Sequence, residues 1–419
     1  MHYMRNHDES EIVITGIGIT SAIGQGKKAF TEALMQGKHA FKIMERSGRQ
    51  NGTAFIGAEI PNLEYPDCFS KRLLRTASLS AKVAMITLNE AFEEAHLKHV
   101  DPERIGLVIG GSNLQQRELI ELYEQYRDNS KHIRPTYAMT YMDSDLCGIC
   151  TEQFGIKGFA HMIGSASASG QSAIQYAVQA VKSGQVDICI AMGALADLSY
   201  LEFQAFRSLG AMGSDKYANE PKLACRPFDK NRDGFIYGES CGAVVIEKVA
   251  SIKKRSGNIY ASITGMAVVL DGNRNPNPSL DGEVKVIKKA LKEANLSPSD
   301  IDYINPHGTG SIIGDEIELK AIFQCGLSQA YINATKSITG HGLSAAGTVE
   351  VIATLLQMKE AQLHPTRNLQ EPIEPSLRWV KEKSISYRIN NAISLSMGFG
   401  GINTAICLKN MMNCGGEDI

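Results

Sequence analysis

Hydrophobic and polar residues alternate along the chain in patterns that predict strands and helices in turn. A first strand is predicted within EIVITGIGIT (residues 11–20), and the apolar spacing of KKAFTEALMQG (27–37) predicts a helix after it. Residues 71–97 have helical apolar spacing and strong helix formers, and RIGLVIGGSN (104–113) indicates a buried strand that ends in glycines. The alternation continues to the C-terminus, which predicts an α/β fold.

Two glycines in the first strand resemble part of the fingerprint of dinucleotide-binding proteins. Gly16 and Gly18 have the right spacing, but Ser21 stands where the third glycine belongs, and no acidic residue closes a later strand at the usual distance. We therefore interpret Gly16-Ile17-Gly18 as a tight turn between the strand and the following loop.

An internal repeat is suggested by two segments that align without a gap. SASGQSAIQYAVQAVKSGQ (167–185) matches SAAGTVEVIATLLQMKEAQ (344–362), with Gly170 on Gly347 and a constant offset of 347 − 170 = 177 residues. Both segments predict a turn of small residues followed by an amphipathic helix. Two such helices can also align by chance, so the pattern alone leaves both a duplicated architecture and coincidence open.

Composition and charge narrow the class of protein. The 419 residues are 43% hydrophobic and 21% charged, as in ordinary globular domains, and a net charge of −2 gives no reason to expect a nucleic-acid partner. The N-terminus lacks the apolar core of a signal peptide, and no apolar run approaches the roughly 20 residues that cross a bilayer. We expect a cytoplasmic protein that has no membrane partner.

The cysteines predict buried thiols. There are nine, an odd number, and they lie mostly within apolar segments, which does not suit a disulfide framework. Cys147 and Cys150 form a CxxC, but no second pair stands at the spacing of metal ligands. We expect two packed helix residues there, and no metal site.

Three polar residues stand at predicted junctions between strands and helices. His307 follows the strand-like IDYI, His341 precedes a helix, and Ser167 lies at the start of a helix in HMIGSASASG. A lone histidine in either loop would more often be structural. Glycines after both histidines leave room for a ligand, and ligands of open α/β sheets bind at strand ends. We expect these three side chains to converge.

The segments around these residues resemble those of the β-ketoacyl synthases. GSASASG resembles their nucleophile turn, which has the form TACASG, and the other four matches are NPHGTG, KSITGHGLSAAGTVE, RPFDKNRDGFIYGESCGAVVIE and LSMGFGGINTAICL. The resemblance extends from ITGIGITSAIG to Ile406, and the five motifs follow the family's order. It implies a thiolase-like α/β fold, with two related halves in a five-layered α-β-α-β-α arrangement, normally as a homodimer. The halves are expected at residues 1–250 and 251–419, with both histidines in the second.

The family's functional residues transfer to matching positions of this chain. Ser167 occupies the position of the nucleophilic cysteine, and His307 and His341 correspond to the pair that holds the thioester carbonyl. The resemblance further implies that Lys336 and Glu350 form a polar network, and that Phe399 is a gate whose backbone N–H joins that of Ser167 in an oxyanion hole. It implies that Thr309 and Ser311 contact a phosphopantetheine arm. A basic stretch that docks a carrier protein is implied at Lys71, Arg72 and Arg75, with Arg207 as a weaker candidate. A solvated helix face explains each basic residue equally well.

The serine departs from the family pattern and redirects the expected chemistry. A cysteine thiol, with a pKa near 8.5, can become a thiolate at a helix N-terminus, whereas a serine hydroxyl is far less acidic. No general base is evidently dedicated to Ser167, so acyl loading should be slow or absent. Decarboxylation of a malonyl thioester requires only donors to the enolate oxygen, which His307 and His341 can supply.

The expected function is therefore decarboxylation of a malonyl-loaded acyl carrier protein to the acetyl form, without condensation. This resembles the free-standing serine-containing ketosynthases of polyketide β-branching cassettes, which work with a hydroxymethylglutaryl-CoA-synthase-like partner. We expect no cofactor of its own, because the phosphopantetheine arm arrives on the carrier. Two alternatives stay open: a non-condensing partner subunit like a chain-length factor, and a condensing synthase whose cysteine was replaced artificially.

Overall fold

A computed structural model of the chain describes residues 8–412, except Lys254 and Ser256. The strands are β1 Ile12–Ser21, β2 Gly24–Gln25, β3 Phe41–Ile43, β4 Ile56–Ala58, β5 Ile105–Gly110, β6 Phe159–Ile163, β7 Ile188–Gly193, β8 Tyr237–Gly238, β9 Ser240–Lys248, β10 Ala261–Leu270, β11 Tyr303–Asn305, β12 Tyr331–Ile332, β13 Gln362–Leu363, β14 Arg378–Trp379, β15 Ile385–Ser386, β16 Asn391–Gly398 and β17 Ile402–Asn410. The helices are α1 Lys27–Met35, α2 Lys71–Thr76, α3 Leu79–Glu94, α4 Gln116–Tyr126, α5 Tyr137–Thr140, α6 Ser144–Phe154, α7 Ser169–Lys182, α8 Tyr200–Ser208, α9 Val249–Ile252, α10 Leu280–Ala294, α11 Ile312–Gln324, α12 Lys336–Thr339 and α13 Ala346–Glu360.

Two five-stranded sheets with the same strand order, joined into one continuous twelve-stranded sheet, form the frame of the molecule. The first runs β6-β5-β7-β9-β1 and the second β12-β11-β16-β17-β10, with β14 beyond β12 and β2 beside β1. In each, the first three strands are parallel to one another. The fourth strand is antiparallel to both of its neighbours, the third and the fifth. The sheets meet where β1 and β10 pair antiparallel, through Val13 with Ser262 and Ile14 with Ala261. The two halves of the chain are therefore built on one topology.

Helices complete five layers. The central layer is α7 and α13: α7 packs on β5 and β7 and reaches β17, while α13 packs on β16 and reaches β9. On the outer faces, α3 covers β1 and β9, and α10 covers β10 and β17. Because α7 and α13 are covered on both sides, most of their residues are buried. The predicted thiolase-like arrangement is confirmed.

The internal repeat is visible in the backbone. Short 3-10 helices, Ala166–Ala168 and Leu343–Ala345, precede α7 and α13 at the offset of 177 residues. Ala166 and Leu343, which occupy the same place in the two copies, have φ of 48° and 51°. Left-handed backbone is uncommon for residues other than glycine, so its presence at both positions argues against coincidence.

The glycines of the first strand do not form a turn. Gly16 and Gly18 lie inside β1, where they allow the backbone of α3 to approach closely. A Cβ at Gly16 would lie 2.7 Å from the carbonyl oxygen of Ala91, and one at Gly18 only 1.9 Å from that of Thr87. The prediction of a turn was wrong because the glycines serve helix packing on a strand that continues through them.

The helix predicted over residues 71–97 is divided in two. Ala77 is extended, with ψ of 136°, and separates α2 from α3. Ser78 then caps α3, because its side chain accepts the N–H of Ala81. The apolar spacing continues through this break, so periodicity alone did not reveal it.

The CxxC lies in a helix, as predicted. Cys147 and Cys150 belong to α6 and pack in the hydrophobic core. Burial raises the pKa of Cys147 to about 11, and it also raises the pKa of Cys150 well above its usual value. Among the described residues, no cluster of three or more His, Cys, Asp or Glu side chains could hold a metal ion. No helix in the described part of the chain is long and apolar enough to span a membrane.

Candidate active site

A cavity of about 580 Å³ opens where the two halves of the chain meet. Its walls include six of the residues singled out from the sequence: Ser167, His307, Thr309, Ser311, His341 and Phe399. Lys336 and Glu350 are buried, and Lys336 contacts His307. The predicted convergence of serine and histidines is confirmed.

The turn that carries Ser167 is held by its own backbone and by the strand below it. Ser169 Oγ accepts the N–H of Ser165 at 2.8 Å and donates to the carbonyl of Ala166 at 2.7 Å. Gly398, at the end of β16, approaches so closely that a Cβ there would lie 2.4 Å from the carbonyl oxygen of Ser165. This contact brings the loop of Phe399 beside the Ser167 turn. The gate and oxyanion-hole roles of Phe399 stay predictions.

His341 is fixed so that Nε2 faces Ser167. Its N–H donates to the carbonyl of Ile236 at 2.7 Å, and its own carbonyl accepts the N–H of Gly238 at 3.1 Å. The ring Nδ1 accepts the N–H of Leu343 at 3.4 Å, so the proton of a neutral imidazole lies on Nε2, which is 2.9 Å from Ser167 Oγ. Burial, and secondly Lys336, lower the pKa of His341 well below its usual range, so the ring stays neutral.

His307 presents the same kind of donor. Its ring centroid lies 5.5 Å from that of His341, and the two planes are almost perpendicular. The ammonium of Lys336 contacts Nδ1 at 3.5 Å and also donates to the His307 carbonyl, which leaves the proton on Nε2. Burial, then Lys336, then His341 lower the pKa of His307 well below its usual range. Two neutral imidazoles thus offer N–H groups to one cavity.

Lys336 and Glu350 form a buried ion pair behind the histidines. Each side chain is 2% exposed, and the ammonium donates to Glu350 Oε1. Burial raises the pKa of Glu350 to about 7, and the adjacent Lys336 opposes that rise. The pair holds a positive charge beside His307 Nδ1, which keeps that nitrogen an acceptor.

Two acidic residues that were not predicted from the sequence hold the His307 loop. Glu318 accepts the N–H of His307 at 2.6 Å and that of Gly308 at 2.8 Å. Asp315 accepts the N–H of Gly310 at 3.1 Å and that of Phe228 at 2.6 Å, tying the loop to a second motif. Burial raises the pKa of Asp315 to about 6. The available signal was two acidic residues three apart, which share one face of α11.

Phe235 was also missed, although it lies in a quoted motif. Its ring lines the cavity and packs edge-on against His341, with ring centroids 5.3 Å apart. An aromatic residue inside a glycine-rich motif gives no sequence signal of its own.

The predicted docking residues differ in exposure. Lys71, Arg72 and Arg75 are exposed on α2, and Arg72 pairs with Glu152. Lys71 and Arg75 have no carboxylate partner among the described residues. Arg207 is only 17% exposed at its side chain: its guanidinium stacks on Phe55 at 4.4 Å and pairs with Asp215 at 2.8 Å. These contacts turn Arg207 inward and give it a structural role.

Family models match this architecture along most of the chain. The model described as "Beta-ketoacyl synthase, N-terminal domain" matches residues 9–251, and the one described as "Beta-ketoacyl synthase, C-terminal domain" matches 260–370. The chain belongs to the β-ketoacyl synthase family. The Ser167 turn, both histidines and the Lys336–Glu350 pair all lie within the matched regions.

Individual relatives within the family cover almost the whole chain. A curated Bacillus subtilis (strain 168) protein, "Polyketide biosynthesis malonyl-ACP decarboxylase PksF", is 64% identical over 97% of this chain and 98% of its own. The "3-oxoacyl-[acyl-carrier-protein] synthase 1" of Buchnera aphidicola subsp. Acyrthosiphon pisum is 34% identical over 95% and 99%. A solved β-ketoacyl synthase of Burkholderia phymatum STM815 superposes with a TM-score of 0.87 at 26% identity, covering 96% of this chain and 99% of that one.

Proposed function

We propose that this chain is a ketosynthase-like malonyl-ACP decarboxylase of polyketide biosynthesis, which forms acetyl-ACP without condensation. The observation that carries this function is the combination of Ser167 at the nucleophile position with an intact pair of histidine donors. A relative 64% identical along the chain bears the name of the same activity. A partner subunit without chemistry would have no need for two neutral histidines and the buried Lys336–Glu350 pair.

The histidines act at the step where charge develops. When the bond between C2 and the carboxylate breaks, its electron pair moves into the thioester carbonyl and forms an enolate, and CO2 leaves. The Nε2–H groups of His307 and His341 donate to the enolate oxygen, and each is worth about 10² to 10³ in rate by analogy with oxyanion-hole donors. A proton from solvent then reaches C2 and completes the acetyl thioester.

The walls of the cavity favour loss of the carboxylate. Among the described residues, no lysine or arginine lines the cavity, and Phe235 and Phe399 contribute aromatic surface. A malonyl carboxylate there lacks a cationic partner, so it is poorly stabilised compared with neutral CO2.

The geometry at Ser167 opposes formation of an acyl-enzyme. A serine nucleophile needs a base that accepts its proton. His341 presents a protonated Nε2 to the hydroxyl, because its Nδ1 is occupied by the N–H of Leu343. The imidazole therefore donates to Ser167 and cannot deprotonate it. Without an acyl-enzyme electrophile, the enolate has only a proton to capture.

We also propose how the carrier delivers its substrate. Thr309 and Ser311 line the cavity on the side of the second half, which suits a phosphopantetheine arm that arrives on the carrier. The basic residues Lys71, Arg72 and Arg75 suit the acidic face of a carrier protein.

A homodimer is proposed on the free edge of the first sheet. Within the described residues, β6 pairs only with β5, so its other edge has unpaired backbone groups. An exposed edge strand is a template for pairing with another chain, and a second copy of β6 satisfies it. A dimeric mass in multi-angle light scattering that becomes monomeric in Met162→Pro supports this, and a monomeric wild-type protein contradicts it.

The wider setting is likewise a proposal. The similarity to serine-containing ketosynthases of β-branching cassettes suggests that a hydroxymethylglutaryl-CoA-synthase-like enzyme uses the acetyl product. The free thiols of the described residues suit a reducing compartment, which supports a cytoplasmic location.

Intact-mass spectrometry of a malonyl-loaded carrier protein tests the function directly. Incubation with this chain and an acyl donor should reduce the carrier's mass by one CO2 and form no elongated product. The His307→Ala/His341→Ala double variant is the matched control. An elongated product would identify a condensing enzyme, and an unchanged mass with several carriers would identify a partner subunit.

A further inference from the structure

The active-site cavity has a second wall that the decarboxylation mechanism does not use. Thr309 and Ser311 lie on the side of the second half, where we place the carrier's arm. Beyond Ser167, the first half contributes the loop after β5, the start of α4 and part of α8. Four polar side chains face the cavity from these elements: Ser112, Asn113, Gln116 and Glu202.

These side chains begin next to the reacting centre. The Ser112 hydroxyl lies against Gly164, three residues before Ser167. Asn113 has φ of 53°, and its N–H donates to Asp143 at 2.7 Å, which fixes the turn into α4. Within the described part of the chain, the side chains of Ser112, Asn113 and Gln116 have no hydrogen-bond partner. Their polar groups therefore depend on water or on a polar ligand.

A carboxylate completes this polar wall. Glu202 Oε2 accepts both the N–H of Ser199, at 2.8 Å, and its hydroxyl, at 2.6 Å, in the capping box of α8. These two bonds anchor the carboxylate at the cavity, and Oε1 has no hydrogen-bond partner among the described residues.

The wall is rigid because a buried ion pair ties its elements together. Arg117, next to Gln116, makes a two-pronged contact with Asp197, with Nε–Oδ1 and Nη2–Oδ2 distances of 2.9 Å. The backbone N–H of Asp197 donates to the carbonyl of Leu114 at 2.8 Å. Displacing this wall to admit a bulky group would break that pair.

We propose that Ser112, Asn113, Gln116 and Glu202 form a polar barrier that restricts the enzyme to short acyl groups of the malonyl class and excludes apolar acyl chains. An alkyl chain along this wall would displace water from the side-chain amides of Asn113 and Gln116 and from the carboxylate of Glu202. It would not replace the hydrogen bonds that these groups make to water. Leu198 and Phe206 give the wall some apolar surface, but they supply no hydrogen-bond partner. This inference rests on the proposed function, because it defines the substrate class of the same site.

Thiol alkylation in a Ser167→Cys variant tests the barrier. Bromoacetyl- and 2-bromooctanoyl-pantetheine amides are probes whose pantetheine portion occupies the arm corridor, so that the acyl portion must enter beyond residue 167. Peptide mapping gives the alkylation rate at position 167, and exposed Cys68 in the same sample corrects for intrinsic reactivity. At each position we take the ratio of the alkylation rate with the short probe to that with the long probe. This ratio should be at least about tenfold larger at position 167 than at Cys68.

Repacking the wall should reverse this preference. Adding Glu202→Leu and Gln116→Leu to Ser167→Cys should raise labelling by the octanoyl probe about tenfold. Glu202→Gln keeps the size and polarity of the residue and should leave the long probe disfavoured. Gln116→Leu alone serves if the combined variant fails to fold.

Several results would overturn the inference. The first is a ratio of short-probe to long-probe labelling that is the same at position 167 as at Cys68. The second is no labelling of position 167 by the short probe. The third is no increase in labelling by the octanoyl probe in the leucine variants. Alkylation does not involve decarboxylation, so the barrier and the proposed function can fail independently. If carrier-bound malonate is not decarboxylated while the probes are discriminated, only the proposed function is wrong.

Discussion

His341 Nε2 lies 2.9 Å from Ser167 Oγ, and we assign the histidine as the donor in this contact. The direction follows from the other ring nitrogen, which accepts the N–H of Leu343. In a serine hydrolase the corresponding contact runs the other way, because the histidine takes the hydroxyl proton. The same two residue types at hydrogen-bond distance thus give no activated nucleophile here.

Ser167→Ala should retain decarboxylation. Both histidine donors remain in the variant, and the serine takes no covalent part, so we expect kcat within about tenfold of wild type, since no transition-state donor is lost. The assay is release of CO2 from the malonyl-loaded carrier. A loss as large as that of a histidine variant would make Ser167 a participant in the chemistry.

His307→Ala and His341→Ala should each lower kcat about 10²- to 10³-fold, since each removes one donor to the enolate oxygen. His99→Ala, a change at an exposed surface histidine, is the matched control and should leave kcat unchanged. Circular dichroism checks that the variants are folded. Near wild-type kcat in either active-site variant would contradict the mechanism.

Lys336→Met should raise the pKa of His307. The ammonium lowers that pKa because it disfavours a second positive charge nearby. In the variant, the His307 ring should therefore become an imidazolium at a higher pH than in wild type. His307 Nδ1 would also lose the donor that Lys336 provides, and both neutral tautomers of the ring should appear. NMR of nitrogen-labelled histidine measures both effects. His364, whose pKa burial lowers to about 4, is the internal reference, and an unchanged His307 titration would contradict the assigned role of Lys336.

Gly238→Ala should damage the site through packing. A Cβ there would lie 2.0 Å from the carbonyl oxygen of Thr339, two residues before His341. We expect a loss of about 1–3 kcal/mol in the free energy of unfolding, together with a lower kcat. Gly148→Ala in α6 meets nothing within 4 Å and should instead stabilise the helix by about 0.5–1 kcal/mol. Urea unfolding compares the two, and equal effects would rule out the packing explanation.

Lys71→Glu and Arg75→Glu should raise KM for a malonyl-loaded carrier while leaving kcat with malonyl-pantetheine unchanged. The increase should shrink at high salt, because exposed charges are screened. Arg207→Ala should behave differently: its loss removes the contacts with Phe55 and Asp215, so thermal stability should fall. If Arg207→Ala raised KM alone, the arginine would be a docking residue after all.

Local motifs made the reacting residues predictable, whereas their supports were hidden. His307 and His341 lie in short segments with strong patterns, so sequence alone brought them together. Glu318 acts through backbone N–H groups 10 and 11 residues away along the chain, and no local pattern marks that relation. Arg207 has a basic side chain like its exposed counterparts, and only the position of Phe55 shows that it turns inward.

The break at Ala77 and the glycines of β1 were mispredicted for two different physical reasons. Apolar spacing continues through Ala77, where the backbone is extended, so periodicity did not mark the break. A pair of glycines in a sequence, in turn, does not report the distance to the element packed against them. Gly18 is explained by the backbone of α3, which lies about 70 residues further along the chain.

The repeated turn has a consequence for how such an enzyme can arise. Ala166 and Leu343 adopt the same left-handed backbone, but the first copy presents Ser167 whereas the second supplies the N–H that orients His341. The nucleophile position and the histidines that stabilise the enolate therefore lie in different halves of an internally repeated chain. One nucleotide change converts a cysteine codon to a serine codon in the first copy and leaves the second untouched. A carbon–carbon bond-forming catalyst can thus lose half of its reaction in one mutational step and survive as a different enzyme.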